Sequence, residues 1–586
     1  MNDADADEAG GTEEQRTATP ETAERMPAAE AMLRAMSAYG VTYVFGNFGT
    51  DHTPLLEAAS RLREEGDADA FPEFVTCPHE GVALSAAHGY AAATGEAQAV
   101  IVHVDVGTQN LGSMVHNAHR GSAPVFIFAG LAPVSYGDDP GARNTPVHFL
   151  QNVFDQEGIL REFCRWSDEY RPPADPDEYV ARALEMATTP RRGPTYMTAT
   201  REALETPVDV DVGSRSAEGV GPTGADDATL DHLASLIEEA DAPVVVTSKL
   251  GVGEPRESVE TLVDFAEAAG AGVVEASPAA LCFPRTHDLH AGFATEPAFE
   301  RADLALLADT DVPWVPETDS APPADLSVIQ VDVDPAKPEY PQWDLRVDQA
   351  VRADPTTTLR ALTGRLDGDA DGRETWGDLG PFAGRRERRD RAADHREAGR
   401  LTPTVLSDAI DGVVDEDTVV VNETTTNNRA VLEGIALDRP GSYLYSHGSG
   451  LGWAPGAAVG AKLAPPDSLV VSLVGDGSYV FGHPTAAAWA AGAHDAPTLT
   501  VVYNNSGWNA VKGATLREHP DGDAATTDVP ESKFSPALDL SHAANVVDAH
   551  TEAVESPGRL DDALSAAVDA VASGKPAVLD VRIEPI

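Results

Sequence analysis

The chain has 586 residues, 42% of them apolar, enough for several buried cores and three or four domains. Its 96 Asp and Glu against 41 Lys and Arg give a formal net charge of −55, which argues against nucleic-acid or anionic-membrane binding through a general electrostatic field. Three cysteines (Cys77, Cys164, Cys282) lack CxxC spacing and cannot build a disulfide framework, and no run of 18 apolar residues is present to cross a membrane as a helix.

Residues 1–24 are polar and acidic, with neither a cationic n-region nor an apolar h-region, so a disordered tail on a soluble, cytoplasmic protein is predicted. Over 25–206, helices are predicted at Ala28–Tyr39, Pro54–Arg63, Gly81–Ala93, Asn110–His119 and Pro176–Thr188. Strands are predicted at Val41–Phe45, Phe74–Thr76, Ala99–Val104, Pro124–Ala129 and Pro194–Thr198. Strands separated by helices imply a parallel, doubly wound sheet. Residues 207–226, rich in Gly, Asp and Ser without periodicity, read as a linker.

A second α/β block follows over 227–365, with strands at Pro243–Thr247, Gly272–Glu275, Ala302–Leu307 and Ser327–Asp332 and a helix at Ser258–Ala269. Residues 366–400 are highly charged and read as a connector or solvated helix; the basic run Arg385-Arg386-Glu387-Arg388-Arg389 belongs to it. The third block, 401–586, has strands at Asp417–Asn422, Ser442–Tyr445, Ser468–Val474, Leu499–Tyr503 and Pro576–Val581. The fold class is therefore α/β, with three consecutive doubly wound parallel sheets. Acidity spread evenly over all three, with few lysines, suits a halophilic surface on which salt screens self-repulsion.

The chemistry concentrates at strand ends. Gly475-Asp476-Gly477-Ser478 closes one apolar run of the third block and Asn504-Asn505 closes the next, with 26 residues between Gly477 and Asn504 for a helical crossover. Glycines there let backbone approach a pyrophosphate, while Asp476 and an Asn offer hard oxygen ligands to Mg²⁺. Far upstream, Glu80 sits where the strand Phe74–Thr76 runs into an Ala-rich helix.

This combination resembles the signature of thiamine-diphosphate (ThDP) enzymes, in particular the acetolactate synthase, benzoylformate decarboxylase and pyruvate decarboxylase branch. The resemblance extends over nearly everything after Glu24. It implies a pyrimidine-binding first block, a central block and a diphosphate-binding third block. Asp476 and Asn505 would then ligate Mg²⁺ by side chain and Gly507 by its carbonyl, with Gly475, Gly477 and Ser478 around the diphosphate. Glu80 would hydrogen-bond the aminopyrimidine and promote the tautomer that deprotonates the thiazolium C2. In Gly448-Ser449-Gly450-Leu451-Gly452-Trp453, Leu451 would wedge under the cofactor and Ser449 and Gly450 would contact it, as would the elbow Glu423-Thr424. The first and third blocks would meet across two subunits, so a dimer is the smallest active unit and a tetramer the usual assembly.

On the substrate side, His103-Val104-Asp105-Val106-Gly107-Thr108-Gln109-Asn110 and Phe283-Pro284-Arg285-Thr286-His287 resemble the two histidine motifs of benzoylformate decarboxylases, and Thr50 stands where a serine meets the substrate carboxylate. The implied activity is decarboxylation of a 2-oxo acid, with the enamine captured by a proton or by a second carbonyl compound. His79 before Glu80 is as in acetolactate synthases, but the motif of their FAD-binding middle domain is absent, where Leu306–Trp314 stands, so FAD is not implied. A single Gly251-Val252-Gly253 is a strand-to-helix turn rather than a dinucleotide site, and Cys77 is a buried small residue rather than a nucleophile. A lyase for 2-hydroxyacyl-CoA-type substrates and a non-catalytic paralogue are the alternatives.

Overall fold

The computed structural model describes residues 24–584 apart from 319, 344, 367, 369–374 and 466; the predicted tail lies almost wholly outside the described residues. Three parallel sheets succeed one another along the chain. In spatial order the first runs Glu73–Thr76, Tyr43–Gly46, Gln98–Val102, Val125–Leu131, Thr195–Thr200 and Ser167–Glu169. The middle sheet runs Gly272–Glu275, Pro243–Thr247, Leu304–Ala308, Ser327–Asp332 and Gln349–Arg352. The third runs Tyr443–Tyr445, Val419–Glu423, Val470–Gly475, Leu499–Asn504, Ala577–Arg582 and His550–Val554. The central strands of each are buried along their whole length, as strands covered by helices on both faces must be.

In each sheet the chain lays two strands in one direction and then crosses back to continue in the other, and that first reversal leaves a crevice at the carboxyl ends of two strands. In the first sheet it lies between Tyr43–Gly46 and Gln98–Val102; in the third, between Val419–Glu423 and Val470–Gly475. Those four strand ends lead directly into Asn47, His103, Thr424 and Asp476.

Two helices join the first block to the third. Glu80–Thr94 is capped by the His79 ring, which accepts from the Gly81 N–H, and ends on Gly95 in the left-handed region. Its residues are buried nearly all round, the pattern of a helix enclosed by protein. The helix enclosing it is Ala454–Leu463, opened by Pro455 and likewise buried. Glycine makes their crossing close: a Cβ on Gly89 would strike the Ala457 carbonyl, one on Gly460 the Ala86 carbonyl, and one on Gly456 would lie 2.7 Å from Ser85 Cβ. One apolar core runs through both blocks at this crossing.

Several elements differ from expectation. The predicted linker begins with the strand Pro207–Val210, which pairs antiparallel with Glu24–Pro27; the two tie the ends of the first block together by contacts distant in sequence. The edge strands Gln349–Arg352, Ser167–Glu169 and His550–Val554 lack the continuous apolar run of an interior strand and were not predicted. Helix Val104–Arg120 starts six residues before the predicted Asn110, immediately at the end of its strand, and kinks at Gly112. The highly charged 366–400 stretch contains the helix Arg385–Glu397, of which only Ala392 is buried.

Candidate active site

Glu80 opens its helix at the carboxyl edge of the first sheet and is 5% exposed. Its two oxygens accept one amide each: Asn47 Nδ2 at 3.0 Å, from the loop after Tyr43–Gly46, and Asn110 Nδ2 at 3.1 Å, from helix Val104–Arg120. Gly107 allows that helix to come near, since a Cβ there would be 3.2 Å from Glu80 Oε1. Beside Glu80, the His79 ring stacks on His483 of the third block with centroids 3.5 Å apart. Burial holds both imidazoles below their ordinary pKa.

His103, at the end of strand Gln98–Val102, is held by a residue that the sequence did not single out. The Asp51 carboxylate bonds His103 Nδ1 through Oδ1 and accepts the Val104 N–H at 3.1 Å through Oδ2. Burial alone would raise the Asp51 carboxyl; His52 and the bond to His103 outweigh it and hold the group below the usual range. The bond to Asp51 raises His103. Its other nitrogen, Nε2, lies 2.6 Å from Gln151 Nε2. The only signal for Asp51 was an acidic residue adjoining the substrate loop, and a loop acid reads equally well as a helix-start residue. Thr50 itself is exposed, its carbonyl accepting from Arg201 at 3.3 Å. His287 stands apart from this group, 3.3 Å from Glu267 on the middle block.

In the third block, Glu423 ends its strand 4% exposed, with Oε1 accepting from the Gly452 N–H at 2.6 Å and Oε2 from the Ala454 N–H at 2.8 Å. Both oxygens therefore clasp the glycine-rich turn and the start of helix Ala454–Leu463. Burial pushes this carboxyl up to about 7. Thr424 is buried and bonds Asn422 Oδ1 through backbone and hydroxyl, and Thr425, although β-branched, sits in the left-handed region at φ 49°. Such backbone strain concentrates at functional sites. On the turn, Gly450 exchanges two bonds with the Asn117 amide, at 2.9 and 2.8 Å, and Ser449 Oγ lies 3.2 Å from His116 Nε2. Leu451 is half-buried while Trp453 is fully buried, so the turn keeps one apolar side chain out of the core.

Asp476 begins a short helix at the end of strand Val470–Gly475, its oxygens accepting from the Gly477 N–H at 2.8 Å and the Gly507 N–H at 3.0 Å. Burial raises it to about 6. Of the Asn pair, Asn504 is bound to Asp580 at 2.7 Å, whereas Asn505 is 7% exposed and its Oδ1 has no hydrogen-bond partner. The Gly507 carbonyl accepts from the Asn509 N–H at 3.0 Å. Gly477 is required sterically, because a Cβ would strike the Trp508 ring. Ser478 is buried against Glu423, and Gly475 leaves open space on its Cβ side out to 3.9 Å.

These groups fit a divalent metal and a diphosphate. A desolvated carboxylate and an amide oxygen with an unused acceptor are hard oxygen donors that Mg²⁺ would satisfy. Among the described residues no cluster of three or more His, Cys, Asp or Glu could hold a metal, so the candidate site depends on one carboxylate aided by amide and backbone oxygen. Cys77 is fully buried with its thiol pushed up to about 12, which removes it as a nucleophile.

Comparison with known proteins agrees with this layout. Residues 26–159 match the N-terminal TPP binding domain of thiamine pyrophosphate enzymes, 230–362 the central domain and 424–581 the C-terminal TPP binding domain. The chain belongs to the thiamine pyrophosphate enzyme family. It is 27% identical over 554 residues to a benzoylformate decarboxylase of Pseudomonas aeruginosa, covering 92% of this chain and 96% of that protein. It is 25% identical over 479 residues to the acetolactate synthase large subunit of Corynebacterium glutamicum, covering 79% and 72% respectively. The solved structure of a thiamine diphosphate-dependent 4-hydroxybenzoylformate decarboxylase from Rhodococcus jostii superposes with a TM-score of 0.79 at 24% identity, covering 95% of this chain and 99% of that one, and shares the fold. This protein is thus an enzyme of the decarboxylase and synthase type.

Proposed function

We propose that this protein is a ThDP- and Mg²⁺-dependent decarboxylase of 2-oxo acids, close in chemistry to benzoylformate decarboxylase, releasing an aldehyde after proton capture. The observation that carries this reading is the Asp51–His103 pair near Glu80. A buried carboxylate keeps the imidazole protonated to higher pH next to a second proton-transfer group, which suits a site that ends its reaction by delivering a proton.

ThDP, when bound, supplies a nucleophilic carbon and an electron sink for the departing carboxylate. Asp476, Asn505 and the Gly507 carbonyl would hold Mg²⁺, with Gly475, Gly477 and Ser478 beside the diphosphate. Thr424, Ser449, Gly450 and Leu451 would seat the ring system, and Glu423 acts as a positioning residue through its bonds to the turn. Asn47 and Asn110 orient the Glu80 carboxyl, which holds and releases a proton at its oxygens. Asp51 fixes the proton of His103 on Nδ1, which leaves Nε2 as the exchanging position: it accepts when the ring is neutral and donates when the ring is an imidazolium. Thr50 is assigned to substrate; His287, apart from it within one chain, would serve that role only from the second subunit of a homodimer, which, assembling further to a tetramer, is the working unit.

The test is chromatography of products from benzoylformate and from pyruvate, with Glu80→Gln alongside. Aldehyde from wild type and turnover lowered by roughly 10²-fold or more in Glu80→Gln are expected, the scale of a lost acid–base group. Full turnover in Glu80→Gln would remove the assigned role. Acetolactate from pyruvate would favour the synthase reading, which the likeness to acetolactate synthases supports.

A further inference from the structure

The helix Arg385–Glu397 stands out in a chain of charge −55. It lines a solvent-open cavity of about 470 Å³ together with residues 400–408, the elbow residues Thr426 and Asn427, the following helix Asn428–Gly434, and Glu584. Six arginines line this cavity against three carboxylates, Asp408, Glu433 and Glu584. Neither Glu80, Asp476 nor the 448–452 turn borders it.

Four of the arginines have acidic partners. Arg385 and Arg389 reach Asp411, Arg400 is bidentate on Glu584, and Arg429 pairs with Glu433. Among the described residues, Arg388 and Arg391 have no carboxylate within 4.0 Å. Arg388 Nη2 is buried without a hydrogen bond, as is Arg385 Nε. Burial lowers Arg388; Glu433 opposes this, and the neighbouring Arg429, Arg385 and Arg391 add to the lowering. Asn427 is only 1% exposed, lines the same cavity, and has neither its amide oxygen nor its amide nitrogen hydrogen-bonded. Buried polar atoms are nearly always paired, and an amide with both ends unused calls for a partner offering both acceptor and donor.

We propose that this cavity is a binding site for a phosphate-bearing small molecule, held by the forked donors of Arg388 and Arg391 and by the Asn427 amide. Guanidinium forks match phosphate oxygens two at a time, and six arginines against Asp408, Asp411, Glu433 and Glu584 leave a local excess of two positive charges, which favours a multiply charged anion over a single carboxylate. A cavity of this size holds an organic phosphate rather than a bare ion alone, and a hydroxyl of such a ligand can donate to the Asn427 amide oxygen while a phosphate oxygen accepts from its amide nitrogen. The bound molecule would touch the segment directly after Glu423-Thr424.

The experiment is titration calorimetry of the full-length protein presaturated with ThDP and Mg²⁺, at constant ionic strength, with fructose 1,6-bisphosphate in one arm and inorganic phosphate in the other. Saturable binding of one molecule per chain is expected. Tighter binding of the sugar bisphosphate identifies an organic ligand and tighter binding of the inorganic ion a free one; both support the site. Arg388→Gln and Arg391→Gln should each weaken binding roughly tenfold, the loss of one charge-assisted hydrogen bond. Arg391 is exposed, so its variant keeps the test valid if Arg388→Gln fails to fold. Arg386→Glu, on the same helix but outside the lining, changes net charge without touching the site and should leave affinity within about twofold at constant salt. Absence of saturable binding, unchanged affinity in both Gln variants, or an equal loss in Arg386→Glu would overturn the proposal. So would dissociation of the assembly by the Gln variants without ligand binding in wild type, which would make the cavity an interface between copies.

Discussion

Asp51 sets the behaviour of His103 through one bond, so a change of one atom in the carboxylate should be readable at the ring. Replacing Asp51 by Asn removes the charge but keeps the shape, and the His103 imidazole should then titrate lower; NMR titration of the ring carbons measures it, and an unmoved midpoint would refute the coupling. The same bond contributes to stability with a definite sign. His103 is raised in the folded state, so its contribution is fully present below the unfolded histidine value of about 6.5 and is lost as pH rises through the folded value. His103→Gln should therefore lower the urea midpoint at pH 6 and do so progressively less toward pH 9. Glu80, the Asp476 motif and His103 were legible in the sequence because each sits at a strand end next to turn-forming or helix-starting residues. Asp51 was not, because its meaning depends on where strand Gln98–Val102 delivers His103, 52 residues later.

Between elements, the crossing of helices Glu80–Thr94 and Ala454–Leu463 places Glu80 relative to the third block. Both helices were visible as Ala- and Gly-rich segments, but the function of their glycines was not. Gly89 and Gly460 are needed only because another backbone lies against them, a contact between residues more than 350 positions apart. Gly460→Ala should destabilise the protein by about 1–3 kcal/mol through overpacking, despite alanine's better helix propensity. Gly558→Ala, where nothing lies within 4 Å of the added methyl, serves as the control. Thermal unfolding of the two variants decides it, and equal midpoints would mean that the helices separate readily. The edge strands went unread for a related reason: half-exposed strands of three to five residues owe their conformation to the neighbour they pair with.

For the whole molecule, charge and assembly carry the predictions. At −55 the folded chain repels itself, and raising KCl from about 0.1 M to about 1 M shortens the screening length from about 10 Å to about 3 Å, so the melting temperature should rise. A melting temperature unmoved or lowered by salt would count against a salt-adapted surface. If the cleft is shared between two chains, a mixture of Glu80→Gln and Asp476→Ala chains, unfolded and reassembled together, should regain about one quarter of wild-type activity, because half the dimers form at random as hybrids with one intact site each. No recovery would place each site within a single chain. The sequence by itself determined the class of fold, the three α/β blocks and the chemical character of the strand ends, since hydrophobic period and turn chemistry are local properties. Only the tertiary structure decided which acid holds His103, which Asn keeps an unused oxygen beside Asp476, and that an arginine helix lines a cavity, because each depends on distances between segments that no local pattern encodes.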